Sequence, residues 1–75
     1  MSGITNCENL ANAIILQAAK DYRMALKCLK ANPRNRVALA DKDEIEGFFR
    51  SQWFTVLTRV DGEMLIRSLQ MEVDA

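Results

Sequence analysis

KDYRMALKCLKANPR, residues 20–34, decides how the rest of the chain is read. Its five basic residues, Lys20, Arg23, Lys27, Lys30 and Arg34, follow at steps of three, four, three and four. On an α-helix, at about 100° per residue, such steps return each side chain to nearly the same side. With Lys20 at zero, the bases fill an arc from about 280° to 360°. Ala11, Ile14, Ile15, Ala18, Tyr22, Ala25, Leu26 and Leu29 fill one from about 120° to 240°. Two separated arcs define an amphipathic helix whose apolar side faces a core. Asn32-Pro33 ends it, because the residue before a proline is pushed out of the α region.

Upstream, the pattern runs back without a breaker to Thr5-Asn6-Cys7-Glu8, which has the spacing of a capping box. Alanine along the apolar side lets a neighbouring helix approach closely. Downstream, Arg34 to Ala40 reads as a connection with room for one short turn at Val37-Ala38-Leu39. Asp41 with Glu44 three residues on, and acid also at Asp43 and Glu46, reads as the start of a second helix, since negative charge complements the positive end of the helix dipole. Ile45, Phe48, Phe49, Trp53, Val56 and Leu57 recur at helical spacing; the helix either runs from Lys42 to about Thr58 or breaks near Ser51, and continuity is favoured. Asp61 is a good cap for a third helix carrying Met64, Leu65, Leu69 and Val73 on one side. No segment alternates with the period of a half-buried strand. The expectation is an all-α fold, a small three-helix bundle with a long first helix and two shorter helices packed on it, residues 1–75 forming a single domain.

Composition narrows the function classes. Of the 75 residues 49% are hydrophobic, enough for a core and too many for a disordered tail. Cys7 and Cys28 lie on one helix, roughly 30 Å apart along its axis, beyond the reach of a disulfide. Unpaired cysteines suit a reducing compartment, so a cytoplasmic protein is expected. The start MSGITNCENL lacks the basic and apolar regions of a signal peptide, and no run is long enough to span a membrane. Histidine is absent, which removes the commonest general base and metal ligand. Asp41 to Gln52 fails as a calcium loop, with Ile45, Glu46 and Gln52 at positions that need an oxygen ligand, a glycine and a glutamate. Three glycines form no phosphate-binding loop. The chain therefore reads as a non-enzymatic protein without metal or cofactor.

Two surfaces are candidates for binding. Residues 20–36 hold six bases (Lys20, Arg23, Lys27, Lys30, Arg34 and Arg36) against the single acid Asp21. Residues 37–75 hold four bases and eight acids, and the whole chain is formally neutral. The stripe fits a solvated helix face, an acidic protein partner or a phosphate backbone; six phosphate contacts would give a log–log salt slope of roughly −5. Neutrality and the scarcity of base-reading side chains, Asn9, Asn12 and Gln17 being the nearest, disfavour nucleic acid. The second surface is FFRSQWF, residues 48–54. Phe48, Phe49, Trp53 and Phe54 span more than half the circumference of one helix, more than a small bundle can bury. Phe49, Trp53 and Phe54 are therefore expected to reach an interface, with a homodimer as its simplest closure.

ALKCLKANPRNRVALA resembles the junction between tetratricopeptide repeats through Tyr22, Ala25, Leu26, Pro33, Asn35 and Ala38. The repeat period of 34 carries Ala25 to Arg59 and Pro33 to Arg67, so no second unit exists. A wider likeness covers NLANAIILQAAKDYRMALKCLK, the following NP, and GFFRSQWFTVLTRVDGEMLIRSLQ. With FFRSQWF and VDGEMLI as its main carriers, the chain resembles small helical proteins of prophages and conjugative elements in Gram-positive bacteria. That resemblance implies an accessory protein that acts by binding in a bacterial cytoplasm, inhibition of host defence being one such act. The expected partner is a protein, with nucleic acid as the alternative.

Overall fold

The computed structural model describes residues 6–74, which form four helices: α1 (Asn6–Ala31), α2 (Arg36–Phe49), α3 (Gln52–Leu57) and α4 (Gly62–Asp74). No strand occurs among the described residues. The all-α bundle with a long first helix is as expected. The expected cap at Thr5 lies outside the described residues.

α1 ends where Asn32-Pro33 predicts, and the turn that follows is held by its own backbone. The Asn32 N–H donates to the Cys28 carbonyl at 2.8 Å, and the Asn35 N–H to the Asn32 carbonyl at 3.1 Å. α2 then begins at Arg36 and not near Asp41, a correction to the expected boundary. Asn35 is its cap, extended at φ −66° and ψ 105°, with its side chain accepting from the Ala38 N–H at 3.1 Å. The acids of residues 41–46 thus lie inside the helix and not at its start. The tight turn folds α2 back antiparallel to α1, and alanine faces alanine where they meet: Ala25 and Ala38 are both buried.

The chain also breaks at Ser51, the less favoured of the two expected readings of this segment. Its backbone is extended, at φ −79° and ψ 159°; its hydroxyl accepts from the Phe54 N–H at 3.2 Å and donates to the Phe48 carbonyl at 2.6 Å. One serine closes α2 and caps α3. The break has a packing reason. On a continuous helix Phe49 and Phe54 would point about 140° apart; with the chain redirected, both enter the core, 1% and 0% exposed.

α4 starts at the predicted cap, the Asp61 carboxylate accepting from the Glu63 N–H at 2.9 Å. Gly62 is its first residue because nothing larger fits: a Cβ there would overlap the Phe49 carbonyl oxygen and stand 2.9 Å from its carbon. That close approach pins the start of α4 to the end of α2. From there α4 runs alongside α1 in the same direction, burying Ile66 and Leu69 against Ala19, Tyr22, Phe49 and Phe54. The aromatic rings meet edge to face, Tyr22–Phe49 at 5.9 Å and 82°, Phe49–Phe54 at 5.5 Å and 74°, and Phe48–Phe54 at 5.6 Å and 84°. Such pairs add about 0.5–1.5 kcal/mol each beyond the area they bury.

Candidate functional site

The α1–α2 hairpin has two long faces, and the chain covers one of them. On the covered face α4 lies in the trough between the two helices with its apolar stripe inward. Its borders are acidic, and the hairpin meets them with bases. Arg23 Nε pairs with Glu72 Oε2 at 2.9 Å, and Arg50 pairs with Glu63. Lys30 Nζ donates to the Val73 carbonyl at 3.2 Å, near the negative end of the α4 dipole. Beneath these pairs runs a buried network. The Tyr22 hydroxyl donates to Glu46 Oε2 at 2.6 Å and accepts from Gln70 Nε2 at 3.1 Å. Glu46 is clasped along its own helix by Lys42 at 2.7 Å and Arg50 at 3.4 Å.

Burial alone would raise the Glu46 carboxyl. Hydrogen bonds from Lys42 and Tyr22, with the charges of Lys42 and Arg50, outweigh it and hold the group below the ordinary carboxylate range. Tyr22 moves the other way. Burial first, then the hydrogen bond and charge of Glu46, push its phenol well above the usual value for tyrosine. Every polar group at this junction is satisfied: among the described residues no buried side-chain nitrogen or oxygen lacks a partner. The network ties α1, α2 and α4 together through Tyr22, Glu46 and Gln70.

The opposite face of the hairpin is open. A groove of about 790 Å³ runs between α1 and α2, floored by Ile14, Ala18 and Ala25 of α1 and Ala38, Ile45 and Phe48 of α2. Met24 and Val37 stand at its edges, 59% and 72% exposed. Its charged rim is wholly acidic, with Asp21 on the α1 bank and Asp41 and Glu44 on the α2 bank. Cys28 is exposed on the α1 bank. Sequence reading missed this groove. The available signal was a second, mixed apolar arc of α1, with Ala13, Met24 and Cys28 between about 20° and 80°. That arc makes the apolar side of α1 wider than one packed neighbour requires.

The residues expected to bind a partner are divided by the fold. Of the basic stripe, Arg23 and Lys30 are engaged with α4. Lys20, Lys27, Arg34 and Arg36 are exposed and form no salt bridge among the described residues. Of the aromatic set, Phe49 and Phe54 are core residues and unavailable to a partner, a correction to their expected role. Only Trp53 remains at the surface, 57% exposed. The aromatic surplus that motivated a homodimer is thereby mostly absorbed into the core.

Among the described residues no cluster of three or more acids or cysteines is placed to hold a metal ion, and no helix is long and apolar enough to cross a membrane. The molecule belongs to the class of small all-α helical bundles. Comparison with protein-family models, with curated proteins and with solved structures finds no match for the chain.

Proposed function

We propose that this chain is a small non-enzymatic binding protein that acts through contact with another protein. The observation that carries this reading is the uncovered face of the α1–α2 hairpin, an apolar groove as long as the trough that α4 fills on the other side. The groove is lined mainly by apolar side chains of two helices, and an apolar strip left open and rimmed by polar groups is the kind of surface that protein contacts use. A protein contact suits an open trough better than a small molecule does, because small ligands are held in clefts that enclose most of their surface. The resemblance of NLANAIILQAAKDYRMALKCLK and GFFRSQWFTVLTRVDGEMLIRSLQ to accessory proteins of prophages and conjugative elements adds a setting to the proposal: a cytoplasmic inhibitor or regulator of bacterial origin.

Nucleic acid is the competing reading, since Lys20, Lys27, Arg34 and Arg36 keep their charges exposed. The two are separated by capture from a bacterial extract on the immobilised chain, with and without nuclease. A protein that survives nuclease, is lost with Met24→Glu/Val37→Glu and is kept with Lys20→Glu/Lys27→Glu supports protein binding. Retention on DNA that vanishes with Lys20→Glu/Lys27→Glu and persists with the groove variant overturns it.

A further inference from the structure

The covered face of the hairpin shows what its helices select, and the geometry points to the complementary partner for the open one: a helix of another protein whose apolar stripe is bordered on both sides by Lys or Arg. This rests on the protein-binding reading and names the chemistry of the partner.

α4 supplies the precedent. The trough it occupies is rimmed by the bases Arg23 and Lys30 of α1 and Arg50 just past the end of α2, and α4 answers with Glu72, a terminal carbonyl and Glu63. The open trough has the opposite rim. Asp21 stands on one bank, Asp41 and Glu44 on the other, and no Lys or Arg lines it. Asp21 accepts a hydrogen bond from Gln17 at 2.9 Å, and Asp41 and Glu44 make no salt bridge among the described residues. The acids lining both banks favour base on the borders of whatever lies between them, most strongly on the α2 side, since Lys20 and Lys27 stand just beyond Met24 on the α1 side.

Length fits a helix. The lining runs from Ala13 to Cys28 along α1 and from Val37 to Phe48 along α2. At about 1.5 Å per residue that is roughly 16–22 Å, three to four turns. Alanines at 18, 25 and 38 keep the floor shallow, so a third helix can approach the pair as closely as they approach each other.

A second copy of the chain fits less well. Two copies laid groove on groove about a two-fold axis bring Asp41 and Glu44 towards their own counterparts or towards Asp21, acid facing acid in either orientation. α1 of another copy is no better, because Lys20 and Lys27 border its outer apolar arc on one side and Asp21 on the other. One bank would be matched and one opposed.

The test uses two synthetic helical peptides of about fifteen residues. Both carry a Leu/Ala stripe; lysines border it in one and glutamates in the other. Binding to the full chain is followed by titration calorimetry and by the alkylation rate of Cys28 in a Cys7→Ser background, since Cys28 lines the groove. The lysine-bordered peptide is expected to bind one to one, to slow Cys28 alkylation severalfold at saturation, and to exceed its glutamate counterpart by about tenfold or more. Asp41→Lys/Glu44→Lys, two exposed sites that leave the core alone, should reverse that preference. Equal binding of both peptides, binding that leaves Cys28 unprotected, or a preference untouched by the double reversal overturns the assignment. If a captured protein depends on Met24 and Val37 and is indifferent to Asp41→Lys/Glu44→Lys, the partner chemistry falls while groove-mediated protein binding stands.

Discussion

The two faces of the α1–α2 hairpin are built from the same two helices and differ in what seals them. One is closed by α4, with aromatic rings beneath, paired charges above and a fully bonded polar network between. The other has alanine and isoleucine on its floor, acids without a basic partner on its rim and methionine and valine at its edges. Hydrophobicity alone does not separate them, since both troughs are apolar. The covered face shows that this chain seats a helix by pairing an apolar stripe with opposite border charge. The open face has half of that arrangement in place.

Substitutions can break this contrast or sharpen it. The largest effect is expected at Phe54, fully buried between Phe48 and Phe49. Phe54→Ala should remove about 3–5 kcal/mol, most of the stability of a domain this small. Trp53→Ala, one residue away and largely exposed, should stay within about 0.5 kcal/mol. Urea unfolding of both variants checks the pair, and equal losses would mean that Trp53 belongs to the sealed side after all.

The two helical glycines offer a second contrast. Gly62→Ala places a methyl group into the Phe49 carbonyl and must push α4 off the end of α2, a loss of about 1–3 kcal/mol. Gly47 has open space where its Cβ would stand, and Gly47→Ala should stabilise by about 0.5–1 kcal/mol through helix propensity. Thermal melts that move in opposite directions are the expected result. A harmless Gly62→Ala would remove the clamp from the account of the sealed face.

Glu46 comes next, with a sign that depends on pH. Its carboxyl is held below the unfolded value, so its contribution is complete above the unfolded pKa and is lost as pH falls through the lower folded one. Glu46→Gln should cost about 1–3 kcal/mol near neutrality, less in acid, and should flatten the acid limb of the stability profile. Tyr22 is the only tyrosine. Its raised phenol contributes stability below the unfolded pKa that is lost as pH rises towards the folded one, so tyrosinate absorbance in the native protein should lag behind that of the unfolded chain. The smallest effect belongs to the open face, where Val37→Glu should change stability by no more than about 0.5 kcal/mol. A larger loss would show that the groove is part of the structural core.

Local signals were legible wherever a residue acts on its own backbone. Asn32-Pro33 stopping α1 and Asp61 starting α4 are such cases. The start of α2 was misread because the acids from Asp41 to Glu46 imitate a capped terminus, while Asn35, the true cap, precedes a first helical turn whose Val37 faces the groove. The break at Ser51 was visible only as the less favoured alternative, because FFRSQWF keeps a helical rhythm across it. Glu46 had a visible clue in the spacing of Lys42, Glu46 and Arg50 at four residues each, the geometry of a carboxylate held between two bases on one helix side. Its burial had no local sign.

What KDYRMALKCLKANPR determined by itself was a long amphipathic helix with bases on one side and small apolar residues on the other. Periodicity and a proline stop are properties of the chain with its near neighbours, and they survive in any tertiary setting. Only the packed structure decided that Arg23 and Lys30 turn to α4, that Phe49 and Phe54 meet in the core, and that the far side of the hairpin stays open. Those outcomes depend on which helix lies against which, and that is settled by contacts between residues as distant in sequence as Arg23 and Glu72.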